Sequence, residues 1–361
     1  MNSQTHENEV AYSARFRAVG DLIVHQKQLN IALQPDGSYN FHPQFALVSD
    51  LLKNSDYTLA NLETTIGRIG DQPYSGYPRF NTPESLLDAL RSAGIGFLTL
   101  ANNHILDRDV EGTVTTADNV ESGGFDFGGV SRTPKEKDKP IVVEINGISV
   151  GILCYTDVMN RDSHYETEAD ALVRADACGV NILRKVDFTK DVQMLRDSGA
   201  QVIFALTHWG EEYRREPESD TVLYAKKLIA SGVDVILGSH SHMVQPVKFL
   251  SVETDQGIIR SGLVAYSLGN FISNQTDRYT DSGIILDFTV CRHHEGDISI
   301  KDVRVLPVYC WNRDHMIQPL CSKKYLDTAP NEMDAATWLR LKESYTELRD
   351  LIDENIPMID Y

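Results

Sequence analysis

The chain has 361 residues, enough for one large domain or two smaller ones, with 42% hydrophobic residues and a formal net charge of −18. Nucleic acid and anionic membranes repel so acidic a chain at long range, which excludes both as partners. An anionic substrate, small or polymeric, is still admitted, because a bound dication reverses the local field.

Residues 1–14 are polar and acidic and read as a flexible tail without the apolar core of a secretory leader. No apolar run reaches the roughly 18 residues of a membrane span. No membrane insertion and a cytoplasmic location are therefore expected. Strand 15–20 leads to Asp21, and His25 follows. HPQFALVSDLLKNS (42–55) reads as a helix, and the next strand ends in Asn61 and Glu63. A loop rich in Gly, Pro and Tyr (67–83) carries Arg79. TPESLLDALRSAG has a Thr N-cap and a Gly94 C-cap, and its following strand delivers Asn102, Asn103 and His104. A helix is expected over 109–124, then a hairpin about Asn146–Gly147. Residues 157–180 read as irregular and polar. Helix 187–198 with strand 201–207 brings His208; helix 219–231 with strand 233–237 brings His240 and His242. Strands follow at 262–271, 283–292 and 298–309, and a long amphipathic helix at 331–355.

Four of these units share one scheme: a helix, a small or polar turn, a hydrophobic strand, then a cluster of Asn, Glu or His. They predict a mostly parallel sheet with its polar residues collected at the carboxyl ends of the strands. His240 and His242 stand two apart, which in extended backbone puts both imidazoles on one side. Asp21, Glu63, Asn103, His104, His208, His240 and His242 together mix carboxylate, amide and imidazole. That donor set suits Mn²⁺, Zn²⁺ or Fe²⁺ and is large enough for two ions. Five scattered cysteines (Cys154, Cys178, Cys291, Cys310, Cys321) with no Cys-x-x-Cys pair read as reduced thiols. Arg79 suits an anion, and Asn270 in SLGNF is a candidate substrate contact. Composition is silent on oligomeric state.

GDLIVH, NLETTI, LTLANNHILD, THWGEEY, GSHSH and AYSLGNF resemble, in order and spacing, the CapA family of poly-γ-glutamate capsule biosynthesis proteins, which is similar to the calcineurin-like metallophosphoesterases. The resemblance covers roughly residues 15–310. It implies a metallophosphatase-like α/β/β/α sandwich with mixed sheets over 15–325, and a helical extension over 326–361 packed on it. It also implies a dinuclear centre in which Asp21 and His242 hold one ion, Asn103, His208 and His240 the other, and Glu63 bridges. His104 is implied to be the catalytic acid.

The chain departs from the superfamily pattern at several of these positions. Ile23 stands where a ligand histidine is usual, which makes His25 the substitute candidate. Glu63 replaces an aspartate, and Ile105 replaces the acid after the catalytic histidine, leaving Asp107 to orient His104. Ser239 and Ser241 interrupt a His-His-Pro-His run. The expected function is a metal-dependent hydrolase of phosphoesterase type, with a metal-bound hydroxide attacking a phosphate ester. Amide hydrolysis or transfer on a poly-γ-glutamate-like polymer is the alternative, and a non-enzymatic accessory role in capsule or envelope assembly the third. The chain has no P-loop, so ATP-driven ligation is not expected.

Overall fold

The structure is a computed structural model describing residues 9–70, 72–137, 139–160 and 167–360. Two mixed sheets stack face to face. The first runs β14 (Met316–Cys321), β13 (Ile298–Arg313), β12 (Ser282–His293), β1 (Val10–Leu22), β2 (Tyr57–Leu62), β3 (Phe97–Thr99) and β4 (Asp126–Gly128), and β11 (Asn270–Ile272) joins the end of β1. The second runs β5 (Ile141–Ile145), β6 (Ile148–Thr156), β7 (Val202–His208), β8 (Val235–Ser239), β10 (Ile259–Ala265) and β9 (Val247–Glu253). β1 to β4 are mutually parallel, as are β6, β7, β8 and β10. The antiparallel strands lie outside these runs.

Strand sequences here are apolar at successive positions because both faces of each sheet are covered. Phe16 and Ala18 of β1 meet Phe204, Leu206, Val235 and Leu237 between the sheets. Their neighbours Ile203, Ala205 and Ile236 point the other way, onto Val192, Leu195, Ala225 and Leu228 of helices 188–197 and 219–231. On the far side of the first sheet, Ala60, Leu62 and Leu98 receive Leu86, Leu90 and Ala93 of helix 85–93. This is the α/β/β/α sandwich the resemblance implies. The helix–strand units read from the sequence as one sheet are thus shared between two, and their carboxyl ends converge where the sheets meet.

Several local expectations change. Of the tail expected over 1–14, Val10–Ala14 belong to β1; residues 1–8, with His6, lie outside the described residues, as does His164. The helix expected over 42–55 is two short ones, 42–45 and 49–53, separated by turns that sink Val48 into the core. Helix 85–93 begins after Glu84 with no side-chain cap from Glu84 or from the expected threonine, while Gly94 closes it in the left-handed region (φ 100°). Asn146 and Gly147 turn the β5–β6 hairpin, both with positive φ. The irregular stretch 157–180 contains helix 168–177, which Thr167 caps through Asp170 N–H.

The C-terminal helix is shorter than its apolar pattern, 335–349. Leu341 packs on Tyr309, Trp311 and Leu320. Beyond it, Leu351, Ile352 and Ile356 enter the core between the sheets. All five cysteines are buried and unpaired with one another. Among the described residues no helix is long and apolar enough to cross a membrane.

Candidate metal centre

The centre forms because strands of both sheets end at the same rim. β1 has a register shift between Val19 and Asp21, next to Gly20, which turns Asp21 toward the second sheet. A Cβ on Gly20 would lie 1.8 Å from the Gly269 carbonyl oxygen, and one on Gly238 would lie 1.9 Å from that of Tyr266. Only glycine lets the 266–269 backbone pass this close to both strand ends. Extended backbone was expected at 240–242, but His240 (φ 96°) and His242 (φ 57°) both lie in the left-handed region, where non-glycine residues are strained. That turn, rather than a strand alternation, aims the two rings into the centre.

Two groups of donors result, each with ligand atoms within 4.8 Å of one another: Glu63, His208 and His240, and Asp21, Glu63 and His242. Glu63 belongs to both. All five side chains are buried. Within the groups, His242 Nδ1 is 3.4 Å from Asp21 Oδ2, and Glu63 Oε1 is 3.9 Å from His208 Nε2 and 4.0 Å from His242 Nε2. Asn103 joins the first group through Oδ1, 2.8 Å from His208 Nε2.

These residues fit divalent cations. Asp21 Oδ2, Glu63 Oε1, His240 Nδ1 and His242 Nδ1 are buried with no hydrogen bond among the described residues, four orphaned lone-pair atoms in one place. His208 is held at both ring nitrogens: Nδ1 lies 2.9 Å from Ser239 Oγ and 3.3 Å from Asn61 Nδ2, and Nε2 faces Asn103 Oδ1. Burial pushes the His208 imidazole well below its usual range and His240 down to about 3, with neighbouring histidines adding to the effect. Both are held neutral, the form that binds metal. Burial, and Asp21 beside it, raise the Glu63 carboxyl well above the usual range.

A shell of polar groups positions these donors. Asn61 Nδ2 donates to Asp21 Oδ1 (2.8 Å) and Glu63 Oε2 (3.2 Å). Asn102 Nδ2 in turn holds the Leu62 carbonyl (2.8 Å). Glu212 Oε1 lies 3.9 Å from His242 Nε2. Ser239, where the resemblance lost an imidazole, is thus a hydrogen-bond partner of His208. Trp209 is a core residue, its indole N–H donating to the Tyr266 carbonyl (2.9 Å).

A cavity of about 720 Å³ opens over the centre, with Glu63 and His242 in its lining. His104 lies on its wall, Nδ1 2.8 Å from Asp107 Oδ2. Asp107 Oδ2 also accepts the Phe80 N–H (2.6 Å), and the Phe80 ring meets the His104 ring edge-on, centroids 4.6 Å apart. Tyr77 and Tyr213 flank the opening.

His25 and Asn270 are placed differently from expectation. His25 is in neither donor group; its Nδ1 accepts the Asn274 N–H (3.2 Å), and burial lowers it to about 4. Ile23 before it is a core residue. Asn270, expected on substrate, is fully buried behind the cavity, where its Nδ2 holds Gln275 Oε1 (2.8 Å) and the Thr280 carbonyl (2.9 Å). Gln275 is the residue that reaches the cavity. Arg79 is on the wall, its Nε and Nη2 donating to the Asp107 carbonyl (2.9 and 2.6 Å).

The family model for "Bacterial capsule synthesis protein PGA_cap" matches residues 15–275. The chain belongs to this family. It is 28% identical over 296 residues to the capsule biosynthesis protein CapA of Bacillus anthracis, covering 80% of this chain and 66% of that one. It is 21% identical over 265 residues to the PGA biosynthesis protein CapA of Bacillus subtilis, covering 72% and 64%. It therefore spans slightly less than two thirds of either relative. Among solved structures, the NAD nucleotidase NadN of Haemophilus influenzae aligns over 95% of this chain and 68% of its own, at 13% identity and a TM-score of 0.48.

Proposed function

We propose that this PGA_cap chain is a metal-dependent hydrolase of phosphoesterase type. The observation that carries the reading is the pair of buried donor groups sharing Glu63 beneath a cavity on whose wall the His104–Asp107 pair sits. Asp21 and His242 would hold one divalent ion, Asn103, His208 and His240 the other, and Glu63 both. Such a pair of ions supplies Lewis-acid stabilisation of phosphoryl oxygens and makes water nucleophilic at neutral pH. Mn²⁺, Zn²⁺ and Fe²⁺ all suit this donor set.

The protein's own part follows from its hydrogen bonds. Asp107 accepts Nδ1–H of His104, fixing the ring with Nε2 toward the cavity and balancing the charge of the imidazolium. Nε2–H then protonates the departing alcohol oxygen. Arg79 braces this pair through the Asp107 carbonyl instead of meeting substrate with its full guanidinium. His25 forms cleft wall. An anionic ester suits this site, since bound dications would reverse the local field of an otherwise acidic protein.

The test is elemental analysis of chelator-free protein together with hydrolysis of aryl phosphate mono- and diesters. We expect two ions per chain and metal-stimulated turnover. His104→Ala should lower turnover by about 10²–10⁴ with metal retained. Metal-replete protein inert toward both ester classes refutes the reading.

Amide hydrolysis or transfer on an extended acidic polymer of poly-γ-glutamate type is the second reading. What supports it is an adjoining cavity of about 770 Å³, which shares Gln275 with the first and is lined by Lys27, Arg278 and Arg340 together with Asp281 and Glu343, Arg278 being paired with Glu347 and Arg340 with Asp281. The similarity to capsule and PGA biosynthesis proteins points the same way. Release of glutamate from poly-γ-glutamate without phosphatase activity would favour it.

A further inference from the structure

One side chain outside every sequence motif touches both a candidate metal donor and the candidate proton donor. Asn160 lies past the end of β6, in the second sheet, yet reaches across the rim to Asn103 and His104, which follow β3 of the first. Its Oδ1 accepts from Asn103 Nδ2 (2.9 Å), and its backbone N–H approaches the Asn103 carbonyl at 3.4 Å. Its Nδ2 sits 3.2 Å from His104 Nδ1 and 3.3 Å from Nε2. An atom nearly equidistant from both ring nitrogens at that range must lie over the ring face, since in the ring plane it would collide with Cε1. The contact is therefore an N–H on the π face of the imidazole.

The carboxamide of Asn103 is the crucial part. An amide offers an oxygen on one side and an NH₂ on the other, and only the oxygen binds a cation. Nothing about Asn103 alone decides which faces His208. Asn160 decides it: an acceptor at 2.9 Å fixes the NH₂ on its own side and turns Oδ1 toward His208 Nε2, 2.8 Å away. With Phe80 on one side of His104, Asp107 at Nδ1 and the Asn160 amide over the ring, the imidazole is held from three directions.

We infer that Asn160 is a positioning residue which orients Asn103 as a metal donor and locks the His104 ring, coupling the second ion's site to the proton donor. The inference rests on the metal reading above. It assigns to Asn160 the job that outer partners of metal ligands perform, and loss of such a partner lowers metal affinity by about 10–100-fold. Because Asp21 and His242 do not touch Asn160, the effect should fall on one of two ions.

The experiment titrates Mn²⁺ into the chelator-stripped full chain by isothermal calorimetry, with no substrate present. Wild type should take two equivalents. Asn160→Leu, which removes both polar atoms, should weaken one equivalent by about 10–100-fold and leave the other within about twofold. Asn160→Asp keeps an acceptor for Asn103 and should bind both equivalents. A wild type that takes two ions and an Asn160→Leu that binds both unchanged, or loses both alike, overturns this inference alone. So does Asn160→Asp binding as poorly as Asn160→Leu. A wild type that binds no Mn²⁺ overturns the metal reading, and this inference with it.

Discussion

Glu63→Gln should shift stability in opposite directions with and without metal. Glu63 is fully buried, its Oε1 has no hydrogen bond among the described residues, and Asp21 shares the Asn61 amide with it. Holding that carboxylate ionised in the metal-free protein is unfavourable, and an unsatisfied buried group costs about 1–3 kcal/mol. Glutamine keeps the shape and removes the charge. At about 2 °C per kcal/mol for a chain of this size, the metal-free variant should melt about 2–6 °C above metal-free wild type near pH 7.5. The pH dependence fixes the cause. Glu63 has its folded pKa raised above the ordinary 4.5, so its favourable contribution is complete below 4.5 and is lost as pH rises through the folded value. The gap between variant and wild type should therefore widen from pH 4.5 upward. Metal reverses the order: saturating one site at about a hundred times its Kd adds about 2.7 kcal/mol to wild type, about 5 °C on the same scale. The variant lacks the anionic carboxylate common to both groups and should gain much less. Differential scanning fluorimetry with EDTA and with Mn²⁺, across pH, reads all of this. A metal-free variant less stable than wild type, or one retaining the full Mn²⁺ shift, refutes the reasoning.

Ser239→Ala removes the hydroxyl that holds His208 Nδ1 and so orients the ring; affinity for one ion should fall about tenfold, read by calorimetry. Gly20→Ala puts a Cβ 1.8 Å from the Gly269 oxygen, so β1 and β11 must separate at Asp21. About 1–3 kcal/mol of stability, measured in urea, should be lost along with metal uptake. Asp287→Asn strands Arg15, Arg17 and Arg304, which converge on one buried carboxylate, and should destabilise by about 3–5 kcal/mol. Burial raises the Asp287 carboxyl, but hydrogen bonds from Arg15 and Arg17 outweigh it and hold the group below its ordinary 3.8. Its contribution is thus present above 3.8 and lost as pH falls through the folded value, so acid unfolding should show a component missing from the variant.

The rim was legible in the sequence because each parallel strand stops being apolar where it reaches the centre: Glu63 after Leu62, Asn102 after Ala101, His208 after Thr207. The Asn146–Gly147 turn and the Gly94 cap were legible because both need a positive φ that few residues adopt. The division into two sheets was not, since a helix followed by an apolar strand reads alike in either. Asn160 carries no periodic signal; it meets Asn103 across 57 positions, and nothing local marks it. β9 escaped because it is an edge strand with Phe249 exposed and mixed polarity on its outer face. The C-terminal helix ends at Arg349 although its apolar spacing continues, because Ile352 leaves to bridge Val247.

Each donor group takes members from both sheets. Glu63 ends a strand of the first sheet and His208 and His240 end strands of the second; Asp21 and Glu63 of the first meet His242 of the second. An ion in either group would therefore cross-link the two layers at the one rim where the apolar packing between them gives way to buried charge. Four of the buried unsatisfied atoms meet at that rim, on Asp21, Glu63, His240 and His242. The core between the sheets sets the distance, and the shell of Asn61, Asn102, Ser239 and Asn160 sets the direction of each lone pair. Removing a shell residue should misalign donors without unpacking the core, whereas Gly20→Ala should separate the strand ends themselves. Binding and stability should accordingly come apart in the first kind of variant and fall together in the second.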